Sequence, residues 1–159
     1  MMKLGVLVEG GGETRVAIVP NSVPKLVKHG FEVLVESGAG IAAHHADAEY
    51  EKKGASITTR DQVMGCNILI CIGTPDLTAL SEGQIVACVS DPFRHPERIK
   101  QAIESKITLL SMDMIPRRLS RAQAMDVNSS QDNLAGYKAV LMGAAQVPKA
   151  AASREPEPE

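Results

Sequence analysis

One polar stretch of this chain carries the residue types that hold a ligand. It reads Arg117-Arg118-Leu119-Ser120-Arg121-Ala122-Gln123-Ala124-Met125-Asp126. Guanidinium, carboxamide and carboxylate groups follow one another there, so planar donors and acceptors for a polar, planar partner lie close together in sequence. The stretch follows an apolar strand-like run at 107–112, and open α/β sheets place their ligand crevice beyond the carboxyl ends of strands. Just beyond it, Ser129-Ser130-Gln131-Asp132 resembles a Ser-x-x-Asp cap, so a helix is expected to start there with its first N–H groups free. By composition alone the same residues also make a solvated basic turn, and both readings stand at this point.

The elements that must position this stretch are legible as alternating apolar runs and helical patterns. Strands are expected at 4–8, 31–36, 55–58, 67–72, 85–89 and 107–112. Helices are expected at 21–29, with Asn21 as a cap, Val23, Leu26 and Val27 on one face and Gly30 as the stop; at 48–53, capped by Asp47 and ended by Gly54; at 97–105, opened by His95-Pro96; and at 129–143. Pro24 falls in a first turn, where its missing N–H is tolerated. Wholly apolar strands separated by helices argue for a parallel sheet covered on both faces, because a sheet with one wet face would alternate. The expected fold is therefore α/β: a three-layer, doubly wound, mainly parallel sheet of flavodoxin-like type, spanning residues 1–147. Residues 148–159, rich in proline and glutamate, have nothing with which to build a core and are expected to be a disordered tail.

Composition removes several classes of function. The 17 basic and 19 acidic residues of the 159 leave a net charge of −2, which is no footprint for nucleic acid. Aromatics are 3% and tryptophan is absent, so base-stacking platforms are not expected and the core must be aliphatic. No apolar run approaches the roughly 18 residues of a membrane span, and the N-terminal Met1-Met2-Lys3-Leu4-Gly5 lacks a signal-peptide pattern. Cys66, Cys71 and Cys88 lie in or beside strand-like runs without a CxxC or zinc spacing, and are read as buried, reduced thiols.

Three further signals are weaker than they look. Gly10-Gly11-Gly12 follows the first strand, but a dinucleotide fingerprint needs glycine at its first, third and sixth positions, and the sixth from Gly10 is Arg15. The strand-like stretch Val16 to Val19 and Pro20 follow, not an apolar helix, so the glycines are read as a tight turn. His44-His45 are adjacent and lack a carboxylate–histidine spacing, so no metal is expected there. Thr74-Pro75-Asp76 is a turn by composition.

Two motifs carry a family resemblance. The segment from Lys106-Ile107-Thr108 and Met112-Asp113 through Ser120-Arg121-Ala122-Gln123, Met125-Asp126, Ser129-Ser130-Gln131 and Asn133-Leu134-Ala135-Gly136-Tyr137 resembles the signature of the NAD(H)-binding subunit of proton-translocating NAD(P)⁺ transhydrogenases. Gly12-Glu13-Thr14-Arg15-Val16-Ala17 with Pro20 is similar to a motif that these proteins share with alanine dehydrogenase. Together the motifs span roughly residues 3–145, in the order and near the spacing of the alanine dehydrogenase/transhydrogenase N-terminal domain family.

The resemblance implies a loop that closes on the nicotinamide of NAD(H), beside NADP(H) held by a separate domain. Counting back from the aspartate that matches Asp126, the loop glutamine matches Gln123, the arginine Arg118 and the following serine Ser129. Arg118 and Asp126 would hold the ring and its carboxamide, with Gln123 between the two nucleotides. Hydride would pass directly between two nicotinamides, so catalysis reduces to positioning and exclusion of water. The implied partners are NADP(H)-binding and membrane subunits and a second copy of the chain, with neither metal nor nucleic acid, on the cytoplasmic or matrix side of a membrane.

The sequence departs from the family in places. Its single arginine after proline becomes Arg117-Arg118, so either can occupy the functional place; Asn128 replaces an apolar residue; and no glycine fingerprint or Rossmann NAD domain follows within these residues. Two alternatives remain: a non-catalytic folding or dimerisation module, whether remnant or fragment, and an alanine dehydrogenase-like substrate domain. In the latter family the arginine matching Arg15 and a lysine after the fourth strand bind the amino-acid carboxylate, but here that strand ends Ile70-Cys71-Ile72-Gly73-Thr74, without lysine.

Overall fold

A computed structural model describes residues 1–116 and 118–146 of the chain. Arg117 and the proposed tail at 148–159 lie outside the described residues. Contacts divide the chain into two compact units, Met1–Ile115 and Pro116–Glu159.

The first unit is built on six strands: β1 (Met2–Val6), β2 (Phe31–Glu36), β3 (Ser56–Thr58), β4 (Ile68–Ile70), β5 (Ile85–Cys88) and β6 (Thr108–Ser111). They form one sheet in the order β3-β2-β1-β4-β5-β6, and every neighbouring pair is parallel. Leu4 of β1 stands opposite Val33 of β2 on one side and Ile68 of β4 on the other. The order reverses between β1 and β4, so the carboxyl ends of these two strands diverge and leave a crevice. This is the expected doubly wound sheet, with one more strand before the reversal than the flavodoxin order has.

Each face has its own aliphatic core. Leu4, Val6, Val33 and Val35 pack with Val23 of α1 (Val23–Lys28) and Tyr50 of α2 (Asp47–Lys52). Leu7, Leu69, Cys71, Val86 and Cys88 pack with Val63 of α3 (Arg60–Met64) and Ala102 of α4 (Pro96–Glu104). Helices α1 and α2 thus cover one face and α3 and α4 the other, as right-handed crossovers on a parallel sheet require. Gly5 permits the close approach of α3: a Cβ there would lie 2.8 Å from Val63 Cγ1 and 2.9 Å from Val63 O. All three cysteines are buried, free thiols, and burial pushes Cys71 up to about 12.

Several local expectations change. Residues 21–29 are not one helix: a 3-10 turn at Pro20–Ser22 precedes α1, and Asn21 lies inside that turn, not at a cap. Pro20, whose fixed φ suits a first helical position, starts the turn before Asn21 is reached. Asp47 is the first residue of α2 and not its cap; its carboxylate instead accepts Ser37 Oγ–H at 2.8 Å and Gly38 N–H at 2.9 Å. The stretch from Val16 to Val19 is not a strand, since no neighbour pairs with it; Ile18 O accepts the Tyr50 hydroxyl at 2.9 Å instead. Thr74-Pro75-Asp76 leads into a 3-10 turn, with Asp76 as the cap that accepts Thr78 N–H. Helix α3 was not anticipated: its five residues are too few to show a period, although a parallel crossover from β3 to β4 demands some element there.

The second unit contains α5 (Ser120–Gln123) and the long α6 (Val127–Gln146).

Candidate functional site

In the first unit, the chain leaving β1 runs through Glu9 into a turn in which Gly11 and Gly12 take φ of 66° and 83°. A Cβ on either would meet nothing within 4 Å, so glycine is needed here for conformation and not for space. The tight-turn reading is the one the backbone adopts. With the ends of β4 and β5, this turn bounds a cleft of about 540 Å³ lined by Glu9, Arg15, Arg60, Cys71, Gly73 and Thr74, among others.

The chain's own carboxylates occupy the polar groups of the cleft. Glu9 accepts the N–H groups of Ile72 at 2.6 Å and Gly73 at 3.0 Å, the two donors left open where β4 ends. Arg60 donates to Glu36 at 3.1 Å, and Glu36 also accepts Val8 N–H at 2.8 Å. Arg15 grips Glu13 through Nε at 2.9 Å and Nη2 at 2.6 Å. That fork, with the Arg15 backbone N–H, holds the Glu13 carboxyl down at about 2 instead of 4.5. A group depressed in the folded state contributes stability that is complete above its unfolded pKa and is lost as pH falls through the folded one. The Glu13 contribution is therefore expected to persist down to pH 4.5 and to disappear near pH 2. Carbon-detected NMR of the Glu13 carboxyl checks this, and a midpoint near 4.5 would mean that the fork is not closed in solution.

In the second unit the residues singled out from sequence fall on one helical turn and the helix after it. Arg118 is an exposed turn residue, followed by Leu119, which caps α5 through its backbone. Gln123 ends α5 and its carbonyl accepts Asp126 N–H at 3.3 Å. Asp126 then caps α6: its carboxylate accepts Ser129 N–H at 3.0 Å and Ser129 Oγ–H at 2.6 Å. The cap is thus Asp126 and not the expected Ser129, and the helix begins at Val127, two residues earlier than expected. An ionised carboxylate at this position both satisfies a first-turn N–H and opposes the positive end of the helix. Asp126 and Ser129 are brought into contact and Gln123 is one turn away, while among the described residues no side-chain bond joins Arg118 to them.

Sequence reasoning passed over Glu9, Glu36 and Arg60. The signal available for Glu9 was its place directly after the apolar run of β1, where an ionisable residue emerges at the crevice end of a buried strand.

The model of the alanine dehydrogenase/PNT N-terminal domain matches residues 5–135, spanning both units up to the middle of α6. In Rhodospirillum rubrum, the first of the separate chains that make up NAD(P) transhydrogenase subunit alpha is 38% identical over 149 residues, covering 87% of this chain and 38% of the relative. The NAD(P) transhydrogenase subunit alpha of Haemophilus influenzae is 36% identical over 135 residues, covering 83% of this chain and 26% of the relative. The chain therefore spans well under half the length of either relative. Among solved structures, the transhydrogenase from Sinorhizobium meliloti superposes with a TM-score of 0.87 at 36% identity, over 93% of this chain and 46% of that one.

Proposed function

The chain belongs to the alanine dehydrogenase/PNT N-terminal domain family and corresponds to the N-terminal domain of a transhydrogenase alpha subunit; from that premise we propose that it positions the nicotinamide of NAD(H) for hydride exchange with NADP(H) on a partner domain. The observation that carries the reading is the unbroken match through Arg118, Gln123, Asp126 and Ser129, the segment in which the described backbone gathers an amide, a carboxylate and a hydroxyl at the start of α6.

The donor set suits the nicotinamide end of the cofactor. A carboxamide needs one acceptor for its NH₂ and one donor for its oxygen; Asp126 supplies the first, and the Arg118 guanidinium or the Gln123 amide the second. The Ser129 hydroxyl, held by Asp126 at 2.6 Å, fixes the carboxylate's direction. The cofactor supplies the hydride. The protein residues supply orientation and exclude water, and no side chain is required to take a proton.

The first unit does not suit the pyrophosphate. The two N–H groups at the end of β4 already bind Glu9. The loop at Gly38-Ala39-Gly40, after β2, also offers no cradle. Its Gly38 N–H is taken by Asp47, and a Cβ at Gly40 would lie 2.7 Å from the Tyr50 ring, so these glycines serve packing. The 159-residue chain alone is accordingly expected to bind NADH in the millimolar range or not measurably, and to bind it far more tightly once joined to a domain with a glycine fingerprint. Titration followed by NADH fluorescence or heat tests this; a low-micromolar constant for the chain alone would contradict it.

Coupling of hydride exchange to proton translocation, membrane and NADP(H)-binding partners, and a homodimer belong to the same reading. Among the described residues no helix is long and apolar enough to cross a membrane, so the reading assigns translocation to partners. The exposed Leu134, Tyr137, Val140, Leu141 and Met142 of α6 support a partner surface. We read residues 1–147 as one functional domain, because the family match crosses from the first unit into the second.

A further inference from the structure

We propose that Asp113 is a positioning residue for the transfer: its carboxylate fixes the point at which the chain leaves β6, and so anchors the segment that carries Arg118, Gln123 and Asp126. The inference rests on the function proposed above, and its geometry lies wholly within the first unit.

Strands β5 and β6 run in register to the pair Cys88 and Ser111. Beyond that pair the ladder ends, and the next N–H groups of the β5 strand end, at Ser90 and Asp91, need other acceptors. Asp113, in the 3-10 turn Met112–Met114 directly after β6, supplies them. Its Oδ1 accepts Ser90 N–H at 3.1 Å and Ser111 Oγ–H at 2.7 Å, and its Oδ2 accepts Asp91 N–H at 3.0 Å. The Ser90 and Ser111 hydroxyls meet at 2.6 Å, and Arg98 of α4 donates to Ser90 O at 2.6 Å.

This network is more than a surface contact. Ser90 is fully buried. Asp91 is held at a φ of 42°, in the left-handed region that a non-glycine residue adopts at a cost. Burial pushes the Asp113 carboxyl up, but hydrogen bonds from Ser111 and from the N–H groups of Ser90 and Asp91 outweigh it and hold the group below its ordinary range. One ionised side chain therefore ties the exit of β6 to the loop between β5 and α4. The turn that it anchors has no side-chain bond at its own N-cap, and Ile115 and Pro116 lead on from it. Hydride exchange works at near-contact distance, where a displacement of about 1 Å costs roughly a hundredfold in rate.

Asparagine at this position keeps the shape but turns an NH₂ toward an N–H donor, so at least one backbone bond is lost. Arg117, Arg118 and Arg121 follow Asp113 within eight residues and make the segment a trypsin target. In the full 159-residue chain, well below its melting temperature, Asp113→Asn is expected to speed cleavage at these arginines about tenfold, against less than about twofold after Lys52 and Lys53. In the assembled transhydrogenase the same variant is expected to lower hydride transfer at saturating nucleotides by about tenfold or more, with the NADH dissociation constant within about twofold. If Asp113→Asn does not fold, Asp113→Glu, which keeps the charge and shifts it by one methylene, is expected to show the same pattern.

Cleavage that rises equally at all sites, or a transfer rate per folded molecule that does not change, overturns the inference. If Gln123→Ala abolishes transfer and Asp113→Asn does not, the Asp113 role falls while the proposed function stands. If Gln123→Ala is also without effect, the proposed function falls and takes the Asp113 role with it.

Discussion

Supplied with a nucleotide-binding domain and an NADP(H)-binding partner, the chain carrying Gln123→Ala is expected to transfer hydride roughly two to three orders of magnitude more slowly while binding NADH within a few-fold of the unaltered chain. The magnitude is that of removing one directed polar contact from a closed site, about 2–4 kcal/mol. Asp126 needs a more careful substitution, because it also caps α6. Asp126→Ala removes the cap as well as the charge, at about 1 kcal/mol of helix stability. Asp126→Asn retains an acceptor for Ser129 N–H and loses only the charge, so it should slow transfer nearly as much as alanine with little change in melting temperature. Unchanged rates in both Gln123→Ala and Asp126→Asn, with the fold intact, would reduce the segment to a solvated turn that ends in a helix cap.

Arg118, and not Arg117, is expected to be the arginine that matters. Counting back from Asp126 places Arg118 in register with the family's loop arginine, and the doubled arginine shifts Arg117 toward the strand end. Lysine is an informative replacement at each position, because it keeps the charge but loses the planar fork that can hold two acceptors at once. Arg118→Lys should lower transfer by about tenfold or more, and Arg117→Lys should leave it within about twofold; an impairment confined to Arg117→Lys would put the register one residue away. The measurement is steady-state transfer from NADH to an NADP⁺ analogue, with circular dichroism as the check on folding.

The sheet was readable because its strands are apolar without alternation. The runs in β2, β4 and β5 admit no wet face, and that alone requires helices on both sides. Helix starts were harder to read, because they depend on where a polar side chain finds its partner. Asp47 has the right type to cap α2, but Ser37 and Gly38 claim its carboxylate from another loop. At α6, two plausible caps stand three residues apart in sequence; Asp126 prevails and binds both the N–H and the hydroxyl of Ser129.

The site shows the same division. The types and order of Arg118, Gln123, Asp126 and Ser129 are local and legible, and the contact between Asp126 and Ser129 follows from a spacing of three residues at a helix start. The pairings of Glu9 with Gly73, of Glu36 with Arg60 and of Asp113 with Ser90 join segments distant in sequence. Only the strand order brings such groups together, and a single sequence does not print that order.

The most direct test of the central claim is a chimera. Residues 1–146 of this chain replace the matching segment of the Rhodospirillum rubrum relative, and the product is combined with that organism's remaining transhydrogenase components. Hydride transfer from NADH to an NADP⁺ analogue is then measured with Gln123 intact and with Gln123→Ala. The account predicts transfer within about tenfold of the unaltered relative, and its loss by two orders of magnitude or so in the variant. A chimera that folds and binds NADH with the relative's affinity, yet transfers no hydride with Gln123 in place, would contradict it.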